Sequence, residues 1–501
     1  NTSQTEGLDL AMEEGQPKEP PLGAHDDGNK LSVAVVCTAH SGHMLPVLPI
    51  CSELFKRGHQ IKVYTADYGK AEFEKKVKQT GSEIVLLDMQ GHTADSITEK
   101  RRKENRMTFL VLEEIMLPAL RIEFIKSKPD VVVADFAALA GAAIAEEMDI
   151  PLVLNLPGPL SLLRTLCGMV DTSTAFNFLG LHVARQRLDA MVLGKWMNVQ
   201  HQAAWGEKLR HHVGRGAVVL IQTIWGLDVT TPVYPNLVVT GPLLPPAADL
   251  RDRLKREHGE LFKFLRDSPK GVVYVTTGSI VTLHDWQVSV LYTGLKKTEY
   301  RVVWSLKEEQ QKSLPIKDDP NFFISKWTPQ VELLQDPAVE AVITHCGWGG
   351  VLETLTAGKP IVAMPFFGEQ PLNARLMQQY GVAELIGRIP TQMWRGGSNP
   401  YQEGWMTEET VASAVGKVMK NPSYTKAAQK LMKASHASRS CGGSEAAAQH
   451  IECAGHYGIS HLKPANFAGS TGSNPIGGVV LGLATACLCA GALMYLKLKG
   501  K

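Results

Sequence analysis

From Ser32 onward, short uninterrupted apolar runs alternate with longer stretches whose apolar positions recur every three or four residues. The runs Ser32–Thr38 (SVAVVCT), Gln60–Thr65 (QIKVYT), Glu83–Leu87 (EIVLL), Val131–Ala134 and Leu152–Leu156 predict buried strands. His40–His43 reads as a turn after the first of them. Pro46 then opens a helix through Leu48, Ile50, Leu54 and Phe55, which Gly58 stops, and Ala137–Met148 reads as an alanine-rich helix. Strands alternating with helices predict a parallel sheet with helices on both faces. Ligands of such sheets lie beyond the carboxyl ends of the strands, where His43 and Asp135 fall.

The pattern loosens between residues 157 and 215. Phe176, Phe178, Leu179, Met191 and Trp196 there sit in helical stretches that either build a substrate pocket or simply cover the sheet. Pro242, Pro245 and Pro246, followed by the charged run Asp249–Glu260, mark a linker. The alternation then resumes with strands at Val272–Thr277, which ends in Gly278-Ser279, at Arg301–Ser305 and at Phe322–Ser325, and with helices at Glu408–Lys420 and Ser423–Ala434. Two Rossmann-like halves in tandem predict a cleft between them.

The densest chemistry lies between Trp327 and Gln370. Val339–Ile343 reads as a buried strand ending at Thr344-His345-Cys346-Gly347, and Gly349–Ala357 places Val351, Leu352 and Leu355 on one helical face before Gly358. Strand, glycine turn and helix together aim free backbone N–H groups and a positive helix end at an anion, so a phosphate-bearing ligand is expected.

Composition narrows the function classes. The chain has 501 residues, 44% hydrophobic and 20% charged, as in globular proteins, and is long enough for two domains. Its net charge of +2 includes three lysines among the last five residues, so the remainder carries no nucleic-acid footprint. Eight scattered cysteines form no CxxC and no zinc-like cluster with histidine. They read as mostly buried thiols, with a disulfide left open, and no metal site is expected. Residues 1–29 are poor in apolar clusters and read as a disordered tail. Ile476–Leu496 is uncharged over 21 residues, long enough for about 31 Å of helix. With the lysines after it, this predicts a single membrane span whose basic tail faces the cytosol. The final Lys497 and Lys499 resemble a retrieval signal for the endoplasmic reticulum. A lumenal body would require a removed leader; insertion by the tail alone would leave the body cytosolic.

Trp327, Pro329-Gln330, Leu333-Leu334, Thr344-His345-Cys346-Gly347-Trp348, Glu353, Gly358, Pro360, Pro365 and Glu369-Gln370 resemble, in residues and intervals, the nucleotide-sugar signature of family 1 UDP-glycosyltransferases. SPKGVVYVTTGS (268–279), CGGSEAAA (441–448) and GHMLP (42–46) extend the likeness over most of residues 31–455. The resemblance implies two Rossmann-like domains of GT-B type facing a cleft: residues 30–245 for the acceptor, a linker at 246–268, and residues 269–455 for the UDP-sugar. A second linker at 456–475, the span at 476–496 and the basic tail at 497–501 follow. Trp327 would stack on uracil, the backbone near Gln330 would bind its edge, and Glu353 would accept from the ribose hydroxyls. His345, Ser279 and the backbone of Gly347, Trp348, Gly349 and Gly350 would hold the diphosphate, and Glu369 and Gln370 the sugar. The family usually has Asn and Ser where Gly349 and Gly350 stand, and Asp where Glu369 stands.

By the same likeness His43 is the base and Asp135 its partner, with His40 the competing base two residues earlier. Taken alone, His43 also fits a helix cap or an exposed turn, and Asp135 a helix N-cap. The expected reaction is transfer of a hexose, glucose favoured because Gln370 ends the signature, to a hydroxyl of a small lipophilic acceptor with inversion. UDP-sugar is then a co-substrate and no cofactor is needed. The competing readings are a UDP-sugar epimerase or hydrolase on the same fold, and a non-catalytic nucleotide-sugar-binding membrane protein.

Overall fold

The structure, a computed structural model, describes residues 30–104, 106–166, 199–228, 233–244, 249–389 and 399–464. The tail at 1–29, the residues Phe176, Phe178, Leu179, Met191 and Trp196, the span at 476–496 and its lysines lie outside the described residues. Among the described residues no helix is long and apolar enough to cross a membrane.

Seven parallel strands build the first sheet: β1 (Ser32–Val36), β2 (Gln60–Ala66), β3 (Glu83–Leu87), β4 (Val131–Asp135), β5 (Leu152–Leu156), β6 (Val218–Ile221) and β7 (Leu237–Val239), in the order β3-β2-β1-β4-β5-β6-β7. Six build the second: β8 (Val272–Thr276), β9 (Arg301–Ser305), β10 (Phe322–Ser325), β11 (Val339–Thr344), β12 (Ile361–Ala363) and β13 (Ala383–Leu385), in the order β10-β9-β8-β11-β12-β13. The side-chain alternation of a strand explains the layering. In β1, Ala34 and Val36 enter one core and Val33 and Val35 the other. In β8, Val273 and Val275 are separated from Val272 and Tyr274 in the same way. Both sheets are buried on two faces, which is why their strands read as continuous apolar runs.

In each sheet the strand order reverses once, between β1 and β4 and between β8 and β11. Such switch points open a crevice beyond the strand ends. The helix Gly443–Tyr457 returns to the first sheet, placing Ala447, Ala448, Ile451 and Ala454 in its core.

Two expectations need correction. His43 does not sit in an open turn; Ser41–Met44 is already one turn of helix, and the helix beyond it starts at Leu48. The alanine-rich helix begins at Leu139, two residues late, because the Asp135 side chain holds the Ala137 N–H. The charged run after Asp249, read as a linker, is helical. It forms the helices Leu250–Glu257 and Gly259–Arg266, whose Leu254, Leu261, Phe264 and Leu265 pack under the second sheet.

Candidate active site

The first switch point joins the two expected catalytic residues. β1 delivers the one-turn helix that carries His43, and β4, its neighbour in the sheet, ends on Asp135. His43 Nδ1 lies 2.8 Å from Asp135 Oδ1, with Asp135 fully buried and the imidazole about six-sevenths buried, at 15% exposure. The same Oδ1 accepts the Ala137 N–H at 2.9 Å in the turn before the next helix, whose N-cap is Ala138, so Asp135 orients His43 without capping that helix. Burial alone would push the His43 pKa down. The Asp135 charge and hydrogen bond, joined by the Glu369 charge, outweigh it and raise the pKa. A carboxylate on Nδ1 fixes the tautomer with its proton there and leaves Nε2 as the basic nitrogen.

His40 lies beside His43, with ring centroids 6.3 Å apart, but is driven the other way: burial, then the His43 charge, lower its pKa to about 4. Aromatic rings surround His43 itself. Phe109 and Phe136 lie 5.7 and 5.4 Å from its ring, and Trp205 closes on both at 5.4 and 5.5 Å. The Trp205 indole donates to the Phe136 carbonyl at 3.1 Å, which fixes the wall.

At the second switch point β8 is followed by a turn carrying the exposed Ser279, and β11 ends at Thr344, immediately before His345. Burial lowers the His345 pKa to about 4, so its ring is a neutral hydrogen-bonding group. That ring is held between two glycines. A Cβ on Gly278 would stand 2.6 Å from it, and one on Gly347 2.5 Å. Gly278 is also left-handed, at φ 67°. Cys346 adopts φ 64°, an uncommon conformation for a residue with a side chain, held by the Asn373 amide on its carbonyl at 2.9 Å. Burial pushes its thiol pKa up to about 12, so it is packing rather than a nucleophile.

The helix Trp348–Thr356 follows with Gly347 as its N-cap and no side chain capping it. Its first N–H groups therefore point forward from a positive helix end. Space is open around Gly349, and the nearest atoms to a Cβ at Gly350 are 3.8 Å away. Glu353 accepts from Gln330 Nε2 at 2.5 Å, while Gln330 Oε1 accepts from the Tyr274 hydroxyl at 2.9 Å. Burial raises the Glu353 pKa to about 7 despite the Gln330 hydrogen bond. Trp327 is 60% exposed and offers an indole face.

Two expected residues have part of their side chains engaged within the protein. The Trp348 indole is buried and donates to the Gln222 carbonyl at 2.8 Å, so only its backbone is available to a ligand. Gln370 uses Oε1 to accept the Phe366 and Phe367 N–H groups at 3.0 and 3.2 Å, which leaves its NH₂ for other work. Burial raises the Glu369 pKa, and the nearby His43 charge opposes that rise, so the two sheets meet electrostatically at these residues. Phe109, Trp205, Gln222 and Asn373 carry no motif, and Tyr274 lies in the matched stretch 268–279 without having been singled out; only β-strand and helix phase could have pointed to them. One other group, Glu146 with His211 and His212, has metal-like spacing among the described residues, but Arg215 already pairs with Glu146 at 2.6 Å.

Two parallel sheets whose switch points meet in this way define the GT-B class. The solved structures show the same fold. Os79 from O. sativa, in complex with U2F and trichothecene, matches with a TM-score of 0.67 at 19% identity, covering 84% of this chain and 100% of that one. Medicago truncatula UGT71G1 complexed with UDP-glucose matches with a TM-score of 0.63 at 20% identity, covering 84% and 98%. The profile of the UDP-glucoronosyl and UDP-glucosyl transferase family matches residues 39–468, and the chain belongs to that family. Flavonol 3-O-glucosyltransferase of Arabidopsis thaliana is 31% identical over 184 residues, 34% of this chain and 40% of that protein. UDP-glucuronosyltransferase 2A2 of Homo sapiens is 26% identical over 345 residues, 64% of this chain and 59% of that protein. The chain thus matches less than two thirds of the length of these curated relatives.

Proposed function

We propose that the protein is a UDP-glycosyltransferase that moves a hexose from UDP-sugar to a hydroxyl of a small lipophilic acceptor, inverting the anomeric carbon. The observation that carries this is the 2.8 Å contact between His43 Nδ1 and the buried Asp135 carboxylate. The acceptor hydroxyl gives its proton to Nε2 as its oxygen attacks the anomeric carbon, and Asp135 stabilises the imidazolium that forms. The aromatic wall of Phe109, Phe136 and Trp205 suits an apolar acceptor.

UDP would be held from both ends of the second switch point. Trp327 stacks on the base, Glu353 accepts from the ribose, and His345, Ser279 and the first N–H groups of the helix at Trp348 hold the diphosphate. That positive helix end also stabilises the departing UDP. The free NH₂ of Gln370 and the Glu369 carboxyl would bind sugar hydroxyls. A second carboxylate on the sugar would meet Glu369, so we favour glucose over glucuronic acid. The sheets then correspond to an acceptor domain (30–245) and a donor domain (269–455). Membrane attachment through 476–496, with the endoplasmic reticulum as its site, rests on sequence alone; protease protection of intact microsomes checks which side the body faces.

Turnover of UDP-glucose with a panel of phenols, sterols and terpenoids tests the reading. Acceptor-dependent release of UDP supports it. UDP-sugar consumption without any acceptor, or UDP-sugar binding with no turnover at all, would overturn it in favour of an epimerase or hydrolase, or of a non-catalytic protein.

A further inference from the structure

The loop after β6 crosses from the first sheet into the second half of the protein. Ile224 and Leu227 are buried in one apolar cluster with Cys346, Trp348, Val351 and Leu352. Its backbone is pinned there as well: the Trp225 N–H donates to Ser438 Oγ at 2.9 Å, and the Tyr380 hydroxyl donates to the Gly226 carbonyl at 2.6 Å. At the root of this loop stands Gln222, 2% exposed.

Both ends of Gln222 are engaged, and each contact reaches a different part of the site. Its Nε2 donates to Asn155 Oδ1 at 2.7 Å, and Asn155 is the register partner of Asp135 across β4 and β5. The same Nε2 donates to the Pro46 carbonyl at 3.3 Å, three residues beyond His43 in the turn that continues its helix. Its main-chain carbonyl accepts the Trp348 indole N–H at 2.8 Å, at the first residue of the helix that faces the diphosphate. The strand paired with the one carrying Asp135, the turn that continues the His43 helix, and the donor-facing helix therefore converge on one buried amide residue. Unpaired, the Asn155 and Pro46 oxygens would be costly at such depth, so the arrangement resists being pulled apart.

We infer that Gln222 is a positioning residue, which together with Trp348 ties the donor helix to the base and its carboxylate partner and sets their mutual alignment. The inference rests on the dyad reading given under Proposed function. It also gives Trp348 a role other than direct contact with UDP-sugar through its side chain. A glutamine suits the junction because one NH₂ serves two acceptors while the backbone serves a third group; methionine of similar length fills the space and serves neither oxygen.

The test uses the full chain, UDP-glucose and one accepted phenol. For Gln222→Met, kcat is expected to fall about 10- to 100-fold, as a sub-ångström to ångström misplacement of reacting groups produces. UDP affinity by calorimetry should stay within about threefold, since no UDP-facing group is removed. The acid limb of the pH–kcat profile should move to lower pH as His43 loses its alignment with Asp135. Trp348→Phe keeps an aromatic ring but removes the indole N–H, and should lower kcat by a smaller factor. The double variant should be no worse than Gln222→Met, because both act through one junction.

A purely structural role predicts a lower melting temperature with native kcat per folded molecule and an unmoved acid limb; that result overturns the inference. His43→Ala run in parallel separates the two readings. If it retains transfer, the dyad reading fails and this inference with it. If it is inactive while Gln222→Met is native in rate and pH profile, the dyad stands and only the junction role fails.

Discussion

At the β1/β4 switch point a buried carboxylate and an imidazole face each other at 2.8 Å; at the β8/β11 switch point a neutral histidine sits between two glycines in front of an uncapped helix. The topology is the same and the electrostatics are opposite. The first crevice invests in one strong charge pair that lifts a pKa, which suits a group that must accept a proton. The second offers backbone N–H groups, a helix dipole and a histidine kept neutral by burial, which suits an anion that must be held and then released. On the proposed function, duplicated Rossmann-like geometry serves proton chemistry at one end and anion binding at the other.

The sharpest way to break this division is to remove one side and read the other. His43→Ala should cost about 10²–10⁴ in kcat, the usual worth of a general base, while calorimetry shows UDP affinity unchanged. Loss of UDP binding in that variant would show that the crevices are not separable.

Glu353→Gln probes the opposite end. UDP affinity should fall by about 1.5–3 kcal/mol, the worth of hydrogen bonds to a charged group, with kcat at saturating donor little altered. The Glu353 pKa of about 7 adds a pH signature. Ribose hydroxyls favour the ionised carboxylate, so UDP affinity of the native protein should rise with pH through about 7 and flatten above it. In Glu353→Gln that rise should vanish. The folded-state pKa lies above the ordinary carboxylate value, so ionising this group opposes folding. The native protein therefore loses stability relative to the variant as pH climbs from the ordinary carboxylate range to about 7, and no further above it.

Gly347→Ala should destabilise by about 1–3 kcal/mol through overpacking against the His345 ring, seen as a lower melting temperature and weaker UDP binding. Gly349→Ala meets open space and exchanges a flexible helix residue for a better one. It should change stability by at most about 0.5–1 kcal/mol in the stabilising direction. A large loss there would show that the gap beside the helix start is needed empty.

Much of this was legible in the sequence. The apolar runs located every strand they named to within two residues, because sheets buried on both faces leave no polar alternation to confuse. The motif from Trp327 to Gln370 was legible through its residues and intervals, and the pair His43 and Asp135 through the family likeness and their places after strand ends; the structure brings these two together. The rest was hidden for identifiable reasons. The helices at Leu250–Glu257 and Gly259–Arg266 read as a linker because their charged faces masked Leu250, Leu254, Leu261 and Leu265, which recur at i, i+4. The direction of the Trp348 side chain was not legible, because motif spacing says nothing of side-chain direction. Gln222 was invisible, since a single glutamine after a strand becomes a junction only when three distant segments fold onto it.

The claim at the centre is that Asp135 sets the proton affinity of His43. The direct measurement is the pH dependence of kcat/KM for the native protein and Asp135→Asn, which reports the free-enzyme base. In the native protein the acid limb should lie above the ordinary histidine pKa of about 6.5. His43 must be neutral to act, and its partner's charge and hydrogen bond outweigh the lowering by burial. Asp135→Asn should carry the limb to lower pH while the plateau falls. An acid limb that stays where it was would contradict the account.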